Sequence, residues 1–420
     1  MRLLLLGYVC ILALEYVRFV VPMGARIAML LSLTLTVVAL VRFGIGELAR
    51  YPQVKALGIF LLLTALAMLH GLLRLNAYVE LQAHVGYALL MLIGYYAMRD
   101  QVSINRFAAF FVLMHAGLGF INLPHYWEAE RVSGYLGSYF TGDGNDFGWA
   151  MVIAAPLGLY LSMRSHSMTK RMFWLGCFLM IAIGAVGTQS RGASLALAAA
   201  LFYFWIAVSK RKTLGFVALG ILALGVIAYA PAAYVERMQT ITQYEQDSSA
   251  MGRIAAWKNA VEMAVDHPLL GVGAGSFNSA YGRYYRDPDE PQRWISAHSI
   301  YFKTLGEYGF PGLFLLLYIL YRTWRRNREL RRELVARPGE REMPDYLPEV
   351  VNSCLIGYAV GGAFLTGINY PHLYVLLALC LSVDRLAREQ AAAVAETQTE
   401  PGLPERSPVF SGAWQAQRLR

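Results

Sequence analysis

The chain has 420 residues, of which 57% are hydrophobic and only 15% are charged. This composition excludes a soluble globular protein of the same length and predicts a polytopic membrane protein. The formal net charge of +9 would suit a nucleic-acid-binding protein, but most of the lysines and arginines lie in short loops on one side of the predicted spans. We therefore interpret the basic excess as a sign of membrane topology and expect no nucleic-acid partner.

Long apolar runs dominate the chain and predict an all-α fold with about 12 transmembrane helices. Each run has about 17 to 25 residues, which is the length that an α-helix needs to cross a bilayer. The predicted spans lie near residues 2–21, 26–42, 56–73, 80–98, 105–122, 147–163, 172–188, 193–209, 213–231, 298–321, 349–367 and 370–386.

The distribution of positive charge predicts the orientation of these spans. Lysine and arginine cluster in residues 164–171, 210–212 and 322–341, which all fall on the same side. The positive-inside rule assigns that side to the cytoplasm. Both termini are then cytoplasmic, and the longest polar interval lies outside, in the periplasm of a bacterium.

This topology predicts four segments. Residues 1–231 contain transmembrane helices one to nine, and residues 232–297 form one large periplasmic loop that carries substrate-binding residues and surface helices. Residues 298–386 contain helices ten to twelve. Residues 387–420, rich in Ala, Gln, Glu and Pro, are expected to be a disordered cytoplasmic tail.

Within the loop, residues 247–265 have cap-forming residues followed by apolar residues at helical spacing, which predicts a helix along the membrane surface. Arg253 lies four residues before Trp257, so both should project from one face together with Val261 and Ala264. An arginine there can contact lipid phosphates or hold a substrate diphosphate with its planar fork. The residues alone leave both interpretations open.

A glycine-rich segment follows this helix, which His267 and Pro268 should end. Gly271, Gly273 and Gly275 occur in the run GVGAGSF. Such glycines allow backbone amides to approach an anion, but they also serve simply as tight turns.

His298 and Ser299 stand where the loop re-enters the membrane. A histidine at this point can act as a general base toward a sugar hydroxyl, or can be a hydrogen-bonded residue of the interface. Glu307 comes nine residues later and would lie on the opposite side of an ideal helix. We therefore predict that Glu307 is a buried pairing partner or a helix-packing group.

Arg191 is a lone cation in the predicted external hairpin of residues 189–192, against the positive-inside pattern. A phosphate of a lipid or of a substrate would satisfy this charge. The eight histidines include no pair at metal-ligand spacing with a supporting carboxylate. The sequence therefore predicts no metal site.

Three motifs resemble the bacterial O-antigen ligase and O-antigen polymerase superfamily. They are SRG at residues 190–192, GRIAAW followed by HPLLGVGAGSF in the loop, and a pattern that begins at His298 and Ser299. This last motif fits His-[Asn/Ser/Gln]-x9-Gly-x2-[Gly/Thr/Tyr], with Gly309 and Gly312 as its glycines. The resemblance covers residues 187 to about 317.

The resemblance implies a metal-independent glycosyltransferase of the bacterial inner membrane that needs no cofactor and faces the periplasm. It implies membrane lipids as surroundings, a glycan on undecaprenyl diphosphate as donor, and the lipid A core as acceptor. Arg191 and Arg253 would bind the diphosphate, and His298 would be the catalytic base or orient the acceptor. The further residues implied are Arg237 as another phosphate contact, and Trp257, Ser299, Gly273 and Gly275 as supporting residues.

Three alternatives remain at this stage. An O-antigen polymerase would extend the glycan on its lipid carrier, and a protein O-glycosylation ligase would transfer it to a protein; residues 234–257 resemble such ligases too. A transporter of lipid-linked sugars would be a different class. It should have charged groups near the middle of the membrane and repeat symmetry, whereas the polar residues here gather at the external face.

Overall fold

The computed structural model describes residues 2–16, 22–127, 144–229, 248–286, 294–336, 343–365, 367 and 370–399. Within these ranges every regular element is helical. The helices up to residue 229 are α1 (Arg2–Tyr16), α2 (Pro22–Phe43), the 3₁₀ turn Leu48–Arg50, α3 (Pro52–His70), α4 (Arg74–Ala97), α5 (Gln101–Ile121), α6 (Leu123–Trp127), α7 (Gly144–Arg164), α8 (Met168–Gly187), α9 (Arg191–Ala207) and α10 (Lys212–Tyr229).

The structure describes five further helices in the remaining chain. They are α11 (Ser248–Asp266), α12 (Phe277–Ala280), which continues into the π-helical turn Tyr281–Tyr285, α13 (Ile300–Ala336), α14 (Leu347–Gly362) and α15 (Pro371–Thr399).

Each predicted apolar run coincides with one of these helices, and the all-α membrane class is confirmed. Six described helices are long and apolar enough to cross a membrane. They are Pro52–Leu69, Arg74–Ala97, Gln101–Ile121, Gly144–Arg164, Met168–Gly187 and Ile300–Ala336. The number of 12 spans and the periplasmic position of residues 232–297 remain predictions.

Helix α7 lies at the centre of the bundle, since 83% of the residues in its apolar 18-residue stretch are buried. It packs against α8, α9 and α14. Small residues make this close packing possible: a Cβ on Gly148 would lie 2.7 Å from the Cβ of Ala193 on α9. Trp149 fixes α7 to α14, because its indole N–H donates to the Tyr358 carbonyl at 3.1 Å and its ring stacks on the Tyr358 ring.

The predicted loop helix is present as α11, and the side that it buries against the protein is lined by small residues. Ala256, Ala260 and Met263 are fully buried, whereas Val261 and Val265 are 43% and 64% exposed. The buried alanines allow α11 to approach α13 closely. Hydropathy marks valine as the more apolar residue but does not reveal which face a neighbouring helix covers.

The last helix continues to Thr399, past residue 386 where the sequence predicted the final span to end and a disordered tail to begin. Residues after 386 include several alanines and other strong helix formers. Within this helix, the Arg388 guanidinium lies 2.6 Å from the Asp384 carboxylate one turn earlier, a spacing that stabilises helices. The predicted tail from residue 400 onward lies outside the described residues.

Candidate functional site

A narrow, open cleft lies where the ends of several helices meet. Two of the three arginines predicted as phosphate ligands share it, although they are distant in sequence. Its lining residues are Asn145, Ser190, Arg191, Gly192, Arg253 and Phe364.

The N-terminus of α9 forms one wall of the cleft. Ser190 caps this helix, since its hydroxyl oxygen accepts the Ala193 N–H at 3.3 Å. Arg191 and Gly192 are the first two helical residues. A helix N-terminus carries unpaired N–H groups and partial positive charge, which favour an anion. The guanidinium of Arg191 adds a full charge at the same place.

Gly192 allows the cleft to be narrow. A Cβ at this position would lie 2.8 Å from the Cβ of Phe364, which lines the cleft from the segment after α14. Real Cβ contacts at this distance essentially do not occur, so the glycine is required for this packing.

Asn145 lines the cleft from the first turn of α7, so two helix N-termini contribute to it. The neighbouring Asp146 accepts a hydrogen bond from the Tyr370 hydroxyl at 2.6 Å. This bond ties the start of α7 to the start of α15. The sequence carried no signal for Asn145 or Phe364, because both lie outside the recognised motifs.

Arg253 reaches the cleft from the second turn of α11 and is half-buried. Trp257, one turn later, donates its indole N–H to the Ala297 carbonyl at 2.8 Å. Its ring also stacks on Phe302, with 4.9 Å between centroids and an interplanar angle of 10°. Trp257 therefore joins the helix that carries Arg253 to the segment that carries His298.

His298 is half-buried and stands two residues before α13. His298 is not among the residues that line the cleft. It directly follows Ala297, whose carbonyl accepts the hydrogen bond from Trp257. Its backbone has a φ of 46°, and Gln189, next to the cleft, has a φ of 51°. These are the two non-glycine residues with positive φ in the described ranges. Such backbone strain concentrates at functional sites. Ser299 is 1% exposed.

The glycine-rich segment forms tight turns. Gly271, Gly273 and Gly275 have φ values of 58°, 98° and 64°, which favour glycine. A Cβ on Gly273 would lie only 2.2 Å from the Cα of Gly71. The segment thus packs directly on the turn between α3 and α4. A supporting role of Gly273 and Gly275 toward a substrate stays a prediction.

The structure also explains why both further positions of the His298 motif are glycines. Gly309 interrupts α13 with φ 67° and ψ −164°, a conformation essentially restricted to glycine. The Phe310 N–H there donates to the Pro268 carbonyl at 3.0 Å. A Cβ on Gly312 would lie 2.3 Å from the Cβ of Tyr308. The motif therefore encodes a break in the helix close to the site.

Glu307 is buried, as predicted, and has partners on two elements. One carboxylate oxygen accepts the Phe277 N–H at 3.2 Å, and the other lies 3.8 Å from the Lys303 ammonium. Glu307 therefore connects α13 to the start of α12.

The structure describes no group of three or more His, Cys, Asp or Glu side chains that could hold a metal ion in the ranges it covers. The expectation of a metal-free site stays a prediction. Arg237, the third arginine predicted to contact phosphate, lies outside the described residues.

These features define a polytopic, all-helical membrane protein with an arginine-lined cleft at converging helix N-termini. Residues 175–317 match the family model described as O-antigen ligase. The match includes Arg191, Arg253 and His298, whereas Asn145 and Phe364 lie outside it. No curated protein matches the chain significantly.

Proposed function

We propose that this protein is an O-antigen ligase that transfers a glycan from undecaprenyl diphosphate to the lipid A core. The reaction takes place at the periplasmic face of the bacterial inner membrane and completes lipopolysaccharide. The observation that carries the proposal is the meeting of Arg191 and Arg253 in one cleft at the N-terminus of α9. Two guanidinium groups beside a helix N-terminus suit a diphosphate.

In the proposed reaction, a hydroxyl oxygen of the acceptor sugar attacks the anomeric carbon of the donor glycan. The bond between that carbon and the diphosphate oxygen breaks, and undecaprenyl diphosphate leaves with the electron pair. Arg191 and Arg253 stabilise the negative charge that develops on the leaving group. His298 accepts the proton of the attacking hydroxyl, as a general base.

The acceptor distinguishes this proposal from its enzyme alternatives. A polymerase would use the same cleft and the same leaving group, but its acceptor would be another carrier-linked glycan. A protein O-glycosylation ligase would use a serine or threonine hydroxyl. The lipid A core is proposed because the family match carries the description O-antigen ligase.

The test uses purified full-length protein in nanodiscs with undecaprenyl diphosphate glycan and lipid A core, in the presence of a chelator and without nucleotide. Product is detected by gel shift and mass. We expect transfer to the core by the wild-type protein and a loss of about 100-fold or more in His298→Ala, because a general base contributes about that factor. His166→Ala, an exposed histidine between α7 and α8, should retain full activity.

Two results would contradict the assignment. Longer glycan on the carrier, or glycan on a protein, in place of core product would replace the proposed acceptor. Full transfer by His298→Ala would remove the proposed role of this histidine.

A further inference from the structure

The first turn of α13, directly after His298, contacts neighbouring elements on different sides. The Tyr301 hydroxyl donates to the Ala359 carbonyl near the end of α14 at 2.8 Å. The next residue, Phe302, stacks on Trp257 of α11. The orientation of this turn, and of the histidine that precedes it, is therefore set by contacts with several helices.

The following residue, Lys303, makes the ionic contact of this turn. Its ammonium lies 2.7 Å from a carboxylate oxygen of Glu80 and 3.8 Å from one of Glu307. The side chains of Lys303 and Glu80 are each only 12% exposed, and that of Glu307 is 2% exposed. Glu80 belongs to α4, outside the region that matches the ligase family model.

A buried histidine lies behind the Glu80 carboxylate. Its second carboxylate oxygen lies 3.9 Å from Nε2 of His84, which is fully buried one turn further along α4. Nδ1 of His84 is hydrogen-bonded to the Tyr374 hydroxyl of α15 at 2.7 Å. The bond to Tyr374 ties His84, and with it the part of α4 that carries Glu80, to α15.

Stability alone is a poor explanation for this cluster. Removing charges from water costs several kcal/mol for each ion, and well-packed apolar residues of similar volume are often equally good or better for stability. A buried ion pair does, however, penalise any displacement that separates its partners. Its distinctive effect is to specify one position of α13 relative to α4.

The conformation of His298 requires that the start of α13 be held in a defined position. Its left-handed backbone conformation is strained and persists only when the surroundings determine it. The Lys303 N–H donates to the Ser299 carbonyl at 2.9 Å, which closes the first turn directly after His298. A displacement of Lys303 is therefore transmitted to His298 through a single helical turn.

We propose that Glu80 and Lys303 are positioning residues for His298, through which the N-terminal helices hold the histidine in its reactive place. The role of His298 as a base rests on the proposed function, whereas its position does not depend on it. Helix α4, which lies outside the recognised motifs and the family match, then sets part of the active-site geometry.

The test is Glu80→Gln in the full-length protein in nanodiscs, followed by hydrogen–deuterium exchange and by kinetics. Glutamine keeps the shape of the side chain and removes its charge. We expect amide exchange in peptides that cover residues 297–303 to become about tenfold faster. We also expect kcat to fall about tenfold while KM for the donor stays within about twofold, because the reacting groups are displaced but the arginines are not. Glu80→Asp should restore part of kcat.

The matched control is Asp384→Asn, which removes a similarly buried carboxylate paired with the other part of α13. Asp384 is 2% exposed on its side chain and lies 2.6 Å from the Arg326 guanidinium. This variant should lower thermal stability without a change in exchange at residues 297–303 or in kcat.

Unchanged exchange at residues 297–303 in Glu80→Gln would overturn the inference, and so would an equal change in Asp384→Asn. A rise in KM at constant kcat would overturn it as well, because it would indicate a binding role. If wild-type protein transfers glycan to no acceptor, the proposed function fails, but the exchange experiment still decides whether Glu80 positions this turn.

Discussion

Replacing Arg253 by alanine is expected to lower kcat/KM for the lipid-linked donor about 100-fold. Hydrogen bonds to charged groups contribute about 1.5–3 kcal/mol, and ~2.7 kcal/mol corresponds to a factor of about 100. Donor binding should persist, because Arg191 lines the same cleft. Arg253→Lys keeps the charge but loses the planar fork. We therefore expect kcat/KM to fall about tenfold in this variant, which corresponds to half of the free energy lost in Arg253→Ala.

The assay is glycan transfer in nanodiscs at several donor concentrations, so that kcat and KM are separated. Lys258→Ala is the matched control, because Lys258 is an exposed cation on the same helix and its removal should change kcat/KM less than about twofold. A value for Arg253→Ala within about twofold of wild type would refute the proposed contact with the diphosphate. Equal losses in Arg253→Ala and Lys258→Ala would show that only general surface charge matters.

Two further substitutions test the surroundings of the site. Trp257→Phe removes the hydrogen bond to Ala297 but keeps an aromatic ring against Phe302. It should therefore lower kcat about tenfold with little change in protein level. A wild-type kcat in this variant would contradict the role of the hydrogen bond. Gly273→Ala should destabilise the protein by about 2–5 kcal/mol, because positive φ and overlap with Gly71 both oppose a methyl group. Thermal unfolding and the amount of protein in the membrane measure this effect. Wild-type stability would contradict the prediction.

Local features of the fold were predictable because they depend on neighbours in sequence. The apolar runs predicted the helices, and capping and periodicity predicted α11 almost to the residue. Glu307 was predicted to be a buried pairing partner or a helix-packing group, because a carboxylate within a span must be satisfied inside the protein. The position of His298 just before α13 followed from the change from polar to apolar sequence.

Features that depend on contact between distant segments were not predictable. Glu80 pairs with Lys303 across 223 positions in sequence, and neither residue belongs to a recognised motif. Asn145 enters the cleft only because α7 begins beside the N-terminus of α9. The side of α11 that α13 covers was not predictable, because periodicity identifies an apolar stripe but not the helix that packs against it.

The break at Gly309 divides α13 into a shorter segment, residues 300–308, which follows His298, and a longer segment, residues 310–336. The Pro268 carbonyl accepts the Phe310 N–H at this point, so a loop residue completes the interrupted ladder of hydrogen bonds. Transmembrane helices accommodate a thicker or thinner bilayer by changing their tilt. A joint at Gly309 would let the long segment tilt without displacing the segment that follows His298.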